Sequence, residues 1–159
     1  MIEPTMVKKK SEAVIIAASG KICDWLPTID TEGLAVRDAR AVADRALALN
    51  ALVNLAFGAP KEFVGTWLLS NGLRAALSPN EQALLAKPGP VSESERNQLR
   101  WSLESIWSIA WIASLSEDLT VTGDISHQLA GFFPKLREQE PAAPFFFQRR
   151  RHALSPKAA

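Results

Sequence analysis

The chain has 159 residues, 47% hydrophobic and 22% charged, with a formal net charge of +1. That mix is globular rather than disordered, and the near-zero charge excludes the basic excess that nucleic-acid or membrane-surface binding requires. A single cysteine, Cys23, excludes an internal disulfide framework and suits a reducing compartment.

At this length a single domain is expected, large enough to bury a core without staples. Lys8, Lys9 and Lys10 precede AVIIAASG, a weak imitation of a signal peptide. Glu12 interrupts the flank, and the apolar run is shorter than the 7–15 or so residues such a signal uses. The longest apolar stretch, around residues 105–115, falls far short of the ~20 residues of a membrane span. A cytoplasmic protein is therefore expected.

In chain order, residues 9–20 read as a short, weakly patterned helix ending near Gly20. CDWLPTIDTEG follows as an irregular connector, stopped by Pro27 and Gly33, with Trp25 and Leu26 expected to cover a core edge. Residues 36–57 form the first strongly patterned helix. Val42, Ala46, Leu49, Val53 and Ala56 step by four, three, four and three, which aligns one face. Gly58 is its stop, and Pro60 suits the first turn of a helix over about 60–71 that buries Phe63, Val64, Trp67 and Leu68. Asn71-Gly72 ends that helix by supplying a left-handed conformation cheaply.

Two helix starts follow. In SPNE, Ser78 caps, Pro79 takes the first helical position and Glu81 reaches back to the cap's N–H; in SESE, Ser92 and Glu95 repeat the device. KPGP at 87–90 forces a break between them. The second helix is expected to run from Ser92 to about Leu115, and a short last helix over about 125–132. VTGDI at 121–125 is too short for a strand and contains Gly123. From Glu138 the composition changes to prolines, three consecutive phenylalanines and the basic run RRRH. A helical domain over 1–136 and a poorly ordered tail over 137–159 are expected, the basic run being a solvated tail.

WSLESIWSIAW, residues 101–111, places three tryptophans around one glutamate. At about 100° per residue, Trp101, Glu104, Trp107 and Trp111 share one arc, with Arg100 beside them. Leu99, Leu103, Ile106 and Ala110 occupy the opposite arc, and Ile109 and Ile112 fill much of the rest. A helix apolar all round belongs at the centre of a bundle. A carboxylate there must be paired, with Arg100 as the local partner and Arg45 as the distant one. Two readings remain open: a structural ion pair at the bundle centre, or a tryptophan-lined pocket.

RALALNALVNLAFGAPKEFVGTWL, LSPNEQALL and RWSLESIWSIAWIASL resemble the bacterial domain-of-unknown-function family 4272. The matching features are Arg45 to Leu47, Trp67-Leu68, Leu77 to Glu81, and Trp101, Glu104, Trp107 and Trp111, with CDWLP at 23–27. The resemblance covers about residues 23–136. It implies an all-helical fold and brings no established activity, cofactor or catalytic residue. The family pattern continues with acidic residues and a Tyr-Arg-like motif. This chain has no tyrosine and departs after Leu136, as a truncation or shifted reading frame would leave it, with an apolar face open to the FFFQ segment.

No catalytic constellation is found. His127, His152 and Cys23 lack metal-ligand spacing, a Cys23–His127 pair is weaker than a lone thiol and a surface imidazole, and no phosphate or dinucleotide glycine motif occurs. The expectation is an all-α, single-domain bundle of five or six helices with a central buried helix at about 92–115 and no cofactor. The function expected is a non-enzymatic protein-binding module, immunity-like or regulatory, with a protein partner and no nucleic acid or membrane. The alternative is a small-molecule binder or enzyme using Glu104 with Arg45 or Arg100 in a tryptophan pocket, and a third option is a homo-oligomer.

Overall fold

A computed structural model describes residues 3–25, 27–28, 38–113, 115 and 129–142. Its contacts fall into two units, one formed by Met1–Arg37 with Thr120–Asp124 and a main one formed by Asp38–Leu119 with Ile125–Ala159. Each is taken by itself.

In the N-terminal unit, α1 spans Pro4–Ala17, starting earlier than expected because Pro4 fills the first-turn position that needs no N–H. Its end is a left-handed turn at Ser19 (φ 62°), from which the Gly20 N–H reaches back to the Ile15 carbonyl at 2.8 Å. Gly20 is bare for a reason: a Cβ there would lie 2.9 Å from that carbonyl oxygen. No residue of α1 is buried. Trp25, expected on a core edge, is 78% exposed. With no residue of α1 buried, that helix offers the ring no core edge to cover. Leu26 lies outside the described residues.

The main unit is built on α2, Ala39–Ala56. Asp38 caps it by accepting from the Ala41 N–H at 2.7 Å. From Val42 to Ala56 no residue is exposed. Five of the buried positions are alanines, which let neighbours approach closely on several sides. α3 (Lys61–Ser70), a 3-10 turn at Arg74–Ala76 and α5 (Glu93–Ile112) pack on it, α5 most extensively. α4 (Pro79–Ala86) packs against α3 and buries no residue fully. Among the described residues there are five α-helices and no strand, which is the expected all-α architecture.

The helix at the centre is α2, not the expected 92–115 helix. α5 ends at Ile112 and buries one face only, through Leu99, Ile106, Trp107 and Ala110. Trp101, Trp111 and Ile112 are 74%, 47% and 67% exposed. An all-round apolar wheel signals burial only when enough neighbours exist to cover it. In this unit the extra neighbours pack on the alanine-rich helix.

The local signals behave as their chemistry dictates. Ser78 and Ser92 both form complete capping boxes, with Glu81 and Glu95. Gly58 (φ 88°) and Gly72 (φ 69°) stop α2 and α3 in left-handed turns. At each stop, the glycine N–H and the following N–H return to the helix's last free carbonyls, Leu55 and Asn54, then Leu69 and Leu68. Pro60 sits at the cap of α3 rather than within its first turn. Of the expected 125–132 helix, Leu129–Phe132 forms a 3-10 turn and the remainder lies outside the described residues.

Residues 137–142, beyond the expected Leu136 boundary, are docked. The Trp67 Nε1–H donates to the Glu140 carbonyl at 3.0 Å, and the Ala142 N–H donates to Asn71 Oδ1 at 2.8 Å. Phe133, Leu136 and Ala142 are buried in the same core. The rest of the tail, with FFFQ and RRRH, lies outside the described residues.

One ion pair ties α2 to α4. Arg45 holds Glu81 with both terminal nitrogens, at 2.6 and 2.9 Å, and also donates to the Ala76 carbonyl at 3.0 Å. Glu81 simultaneously accepts the Ser78 N–H at 2.7 Å. Burial disfavours its charged form, but the Arg45 bonds, the Ser78 N–H and the Arg45 charge outweigh burial and hold the carboxyl below its ordinary range.

A carboxyl depressed in the folded state stabilises the protein above its unfolded pKa. That contribution is lost as pH falls through the folded value. Urea melts between pH 7 and pH 3 should therefore show a loss of stability on acidification that is smaller in Arg45→Met. At pH 7 that variant should be less stable by about 1–3 kcal/mol, since a half-buried acceptor loses its main donor. An unchanged acid slope would contradict the pairing. Trp107→Ala should cost about 3–5 kcal/mol as a core cavity, and Trp101→Ala less than about 1 kcal/mol, because its ring is already in water.

Candidate functional site on the outer face of α5 and the cleft beside it

The six residues singled out by sequence do not converge on one pocket. Trp107 is 4% exposed and packs into the core with Ile106 and Ala110. Trp101, Glu104 and Trp111 are exposed. Arg45 is committed to Glu81. Arg100 stays on the outer surface of α5, where its Nη1 donates to Asn97 Oδ1 at 2.6 Å and lies 3.4 Å from Glu93. The expected Glu104 pair with Arg100 or Arg45 is therefore not formed. Glu104 remains in water, which removes the need for a buried partner.

What the structure does bring together is a surface. Trp101, Glu104, Ser105, Ser108, Trp111 and Ile112 recur at helical spacing and lie along the outer face of α5. The Ser108 hydroxyl donates to the Glu104 carbonyl at 2.9 Å, turning it onto the helix rather than outward. The stripe thus offers two indoles, one isoleucine and a carboxylate between the rings, with a guanidinium at its edge. Aromatic rings with polar handles and arginine are the groups that dominate protein recognition sites. Large apolar side chains grouped on a surface are also the feature that marks interaction sites.

A second feature was not read from the sequence. A cleft of about 550 Å³ opens between α2, α5 and residues 129–138. Val53, Leu103, Ile106 and Phe133 give it an apolar floor, and Asn50 and Asn54 place carboxamides in it. The Asn50 Nδ2 donates to the Pro134 carbonyl at 3.3 Å, and the Asn54 Nδ2 to the Asn50 carbonyl at 2.8 Å. The available signal was the pair of asparagines four apart in the otherwise apolar second half of α2.

Near the break before α5, Lys87 Nζ lies 2.9 Å from Glu95 Oε1. That bond, with the Ser92 N–H and hydroxyl, lowers the Glu95 carboxyl to about 2. Glu95 is thereby fixed as a permanent anion at the start of the helix. Its task is to close the KPGP turn and cap α5, not to exchange protons near neutral pH.

Among the described residues, no group of three or more His, Cys, Asp or Glu is placed to hold a metal ion. Cys23 is exposed, and His127 and His152 lie outside the described residues. No described helix is long and apolar enough to cross a membrane.

No curated protein and no solved structure matches the chain significantly. The family model described as Domain of unknown function (DUF4272) matches residues 8–145, which includes the whole span of the resemblance seen in the tryptophan helix and its neighbours. The chain belongs to that family.

Proposed function

We propose that the protein is a non-enzymatic binding module whose outer α5 face docks another protein. The observation that carries this is the exposure of Trp101, Trp111 and Ile112 on one stripe of a helix whose other side is anchored in the core. Water around two indoles and an isoleucine is a standing cost that a partner's apolar ridge removes. Glu104, between the rings, selects a partner with a basic or hydrogen-bond-donating group opposite it. In a bacterial cytoplasm this describes an immunity-like or regulatory partner that acts by occupying a surface.

The alternative, a small-molecule binder or enzyme built on Glu104 and an arginine, has less support. Arg45 and Arg100 are engaged elsewhere, and among the described residues the Glu104 side chain lies exposed to water rather than in a pocket.

Affinity capture from the native host should recover one stoichiometric partner. Binding of that purified partner should weaken at least ~30-fold in Trp101→Ala/Trp111→Ala, as truncation of central aromatic anchors does. Leu69→Ala, at an exposed residue of α3, serves as the control and should bind as the native chain does. Urea midpoints should hardly move in either variant. Equal affinity of the α5 variant and the control would sink the proposal.

A further inference from the structure

We propose that Asn71 is a modification site: it deamidates spontaneously, at a rate set by release of the docked 139–142 segment. Five asparagines occur in the chain, and Asn71 alone is followed by glycine. The nucleophile of this reaction is the next residue's backbone nitrogen, and a glycine puts no side chain in its way. Gly72 is exposed, so water reaches the peptide. The Gly72 nitrogen gives its proton to solvent base and bonds to Asn71 Cγ. The Cγ–Nδ2 bond breaks, and the nitrogen leaves as ammonia after taking a proton from solvent. One water then opens the cyclic imide at either carbonyl, giving aspartate or isoaspartate. Nothing is oxidised or reduced; one water enters and one ammonia departs.

The fold restrains each reacting group. Asn71 Oδ1 accepts the Ala142 N–H at 2.8 Å, and Asn71 Nδ2 donates to the Trp67 carbonyl at 2.8 Å. The Gly72 N–H is spent on the Leu69 carbonyl at 3.0 Å. Ring closure has to turn the carboxamide and free that N–H. The bond that fixes the carboxamide from outside α3 comes from the 139–142 segment. That segment is held in turn by the Trp67 indole N–H on the Glu140 carbonyl and by burial of Ala142. Local release of such a segment costs less than unfolding of the unit around it. Conversion makes the release lasting. A carboxylate oxygen replaces the donor that faced the Trp67 carbonyl, and its charge sits at the negative end of α3. Isoaspartate also adds a methylene to the main chain, so the Gly72 and Leu73 N–H groups lose register with the Leu69 and Leu68 carbonyls.

The full chain is held at mildly alkaline pH and sampled by peptide mass spectrometry. In denaturing urea, Asn71 should convert ahead of Asn50, Asn54, Asn80 and Asn97. In the native chain it should convert at least ~10-fold more slowly than in urea, because reaction waits on local opening. Ala142→Pro removes the N–H that Asn71 accepts, and Trp67→Phe removes the indole donor. Each should speed native conversion at least ~3-fold while the circular dichroism stays native. Leu99→Ala, a core cavity in α5, should lower the urea midpoint without speeding conversion. Conversion as fast in the native chain as in urea, or no preference for Asn71 in urea, would overturn the proposal. So would unchanged rates in both segment variants, or a rise in Leu99→Ala equal to that in Ala142→Pro.

Discussion

The main unit depends on keeping α2 out of water from Val42 onward. Ala43, Ala46, Ala48, Ala51 and Ala56 keep the rod thin, so neighbours reach its backbone on more than one side. Enclosure of that kind imposes a condition on the polar residues the helix carries, because a polar group removed from water without a partner is costly. Arg45, Asn50 and Asn54 meet it in three ways. Arg45 reaches a carboxylate on α4, Asn50 reaches the chain at Pro134, and Asn54 turns back to its own helix. The first two of these ties place segments far away in sequence. The polar residues of the central helix therefore do more than avoid a penalty: they help fix where α4 and the 133–142 segment lie.

With the centre filled by α2, α5 is free to be two-sided. Its tryptophans show how far position, rather than residue type, decides a role. Trp107 faces α2 and is packed, while Trp101 and Trp111 face away and are wet. The serines between them shed little apolar surface into the stripe and leave the rings as its dominant features. A helix that needed both faces for stability could not leave one of them in water. α5 can, since Leu99, Ile106, Trp107 and Ala110 suffice to anchor it.

Much of the local grammar was legible in the sequence. Capping boxes at Ser78 and Ser92, stops at Gly58 and Gly72, and the break at KPGP each depend on a few adjacent residues, and each forms. What depended on distant neighbours was not legible. Apolar content made the tryptophan helix look central, because hydrophobicity scales reward large rings and discount alanine. Centrality here follows from closeness of approach, which alanine provides and tryptophan prevents. The same limit hid Arg45's partner: Glu81 lies 36 residues away and was read only as a cap. It also hid the cleft, whose walls come from three separated stretches of chain. Trp25 failed for a related reason, as a lone ring carries no information about whether a core lies beside it.

Family membership brings no chemistry with it, so functional weight rests on the two features that α5 separates. Leu103 and Ile106 line the cleft, while Trp101 and Trp111 are exposed on the helix's outer side. Adjacency on one helix invites the idea that a ligand in the cleft controls docking on the outer face. Coupling of that kind requires an element with two discrete arrangements that both sites bias. α5 is a single 20-residue helix, capped at its start and anchored along its inner face by side chains in a shared core. Nothing in its sequence, neither proline nor glycine, supplies a hinge between residues 93 and 112. Sliding it on α2 would also pull Ile106 and Trp107 out of their packing. A rigid partition of this sort transmits little between its inner and outer faces.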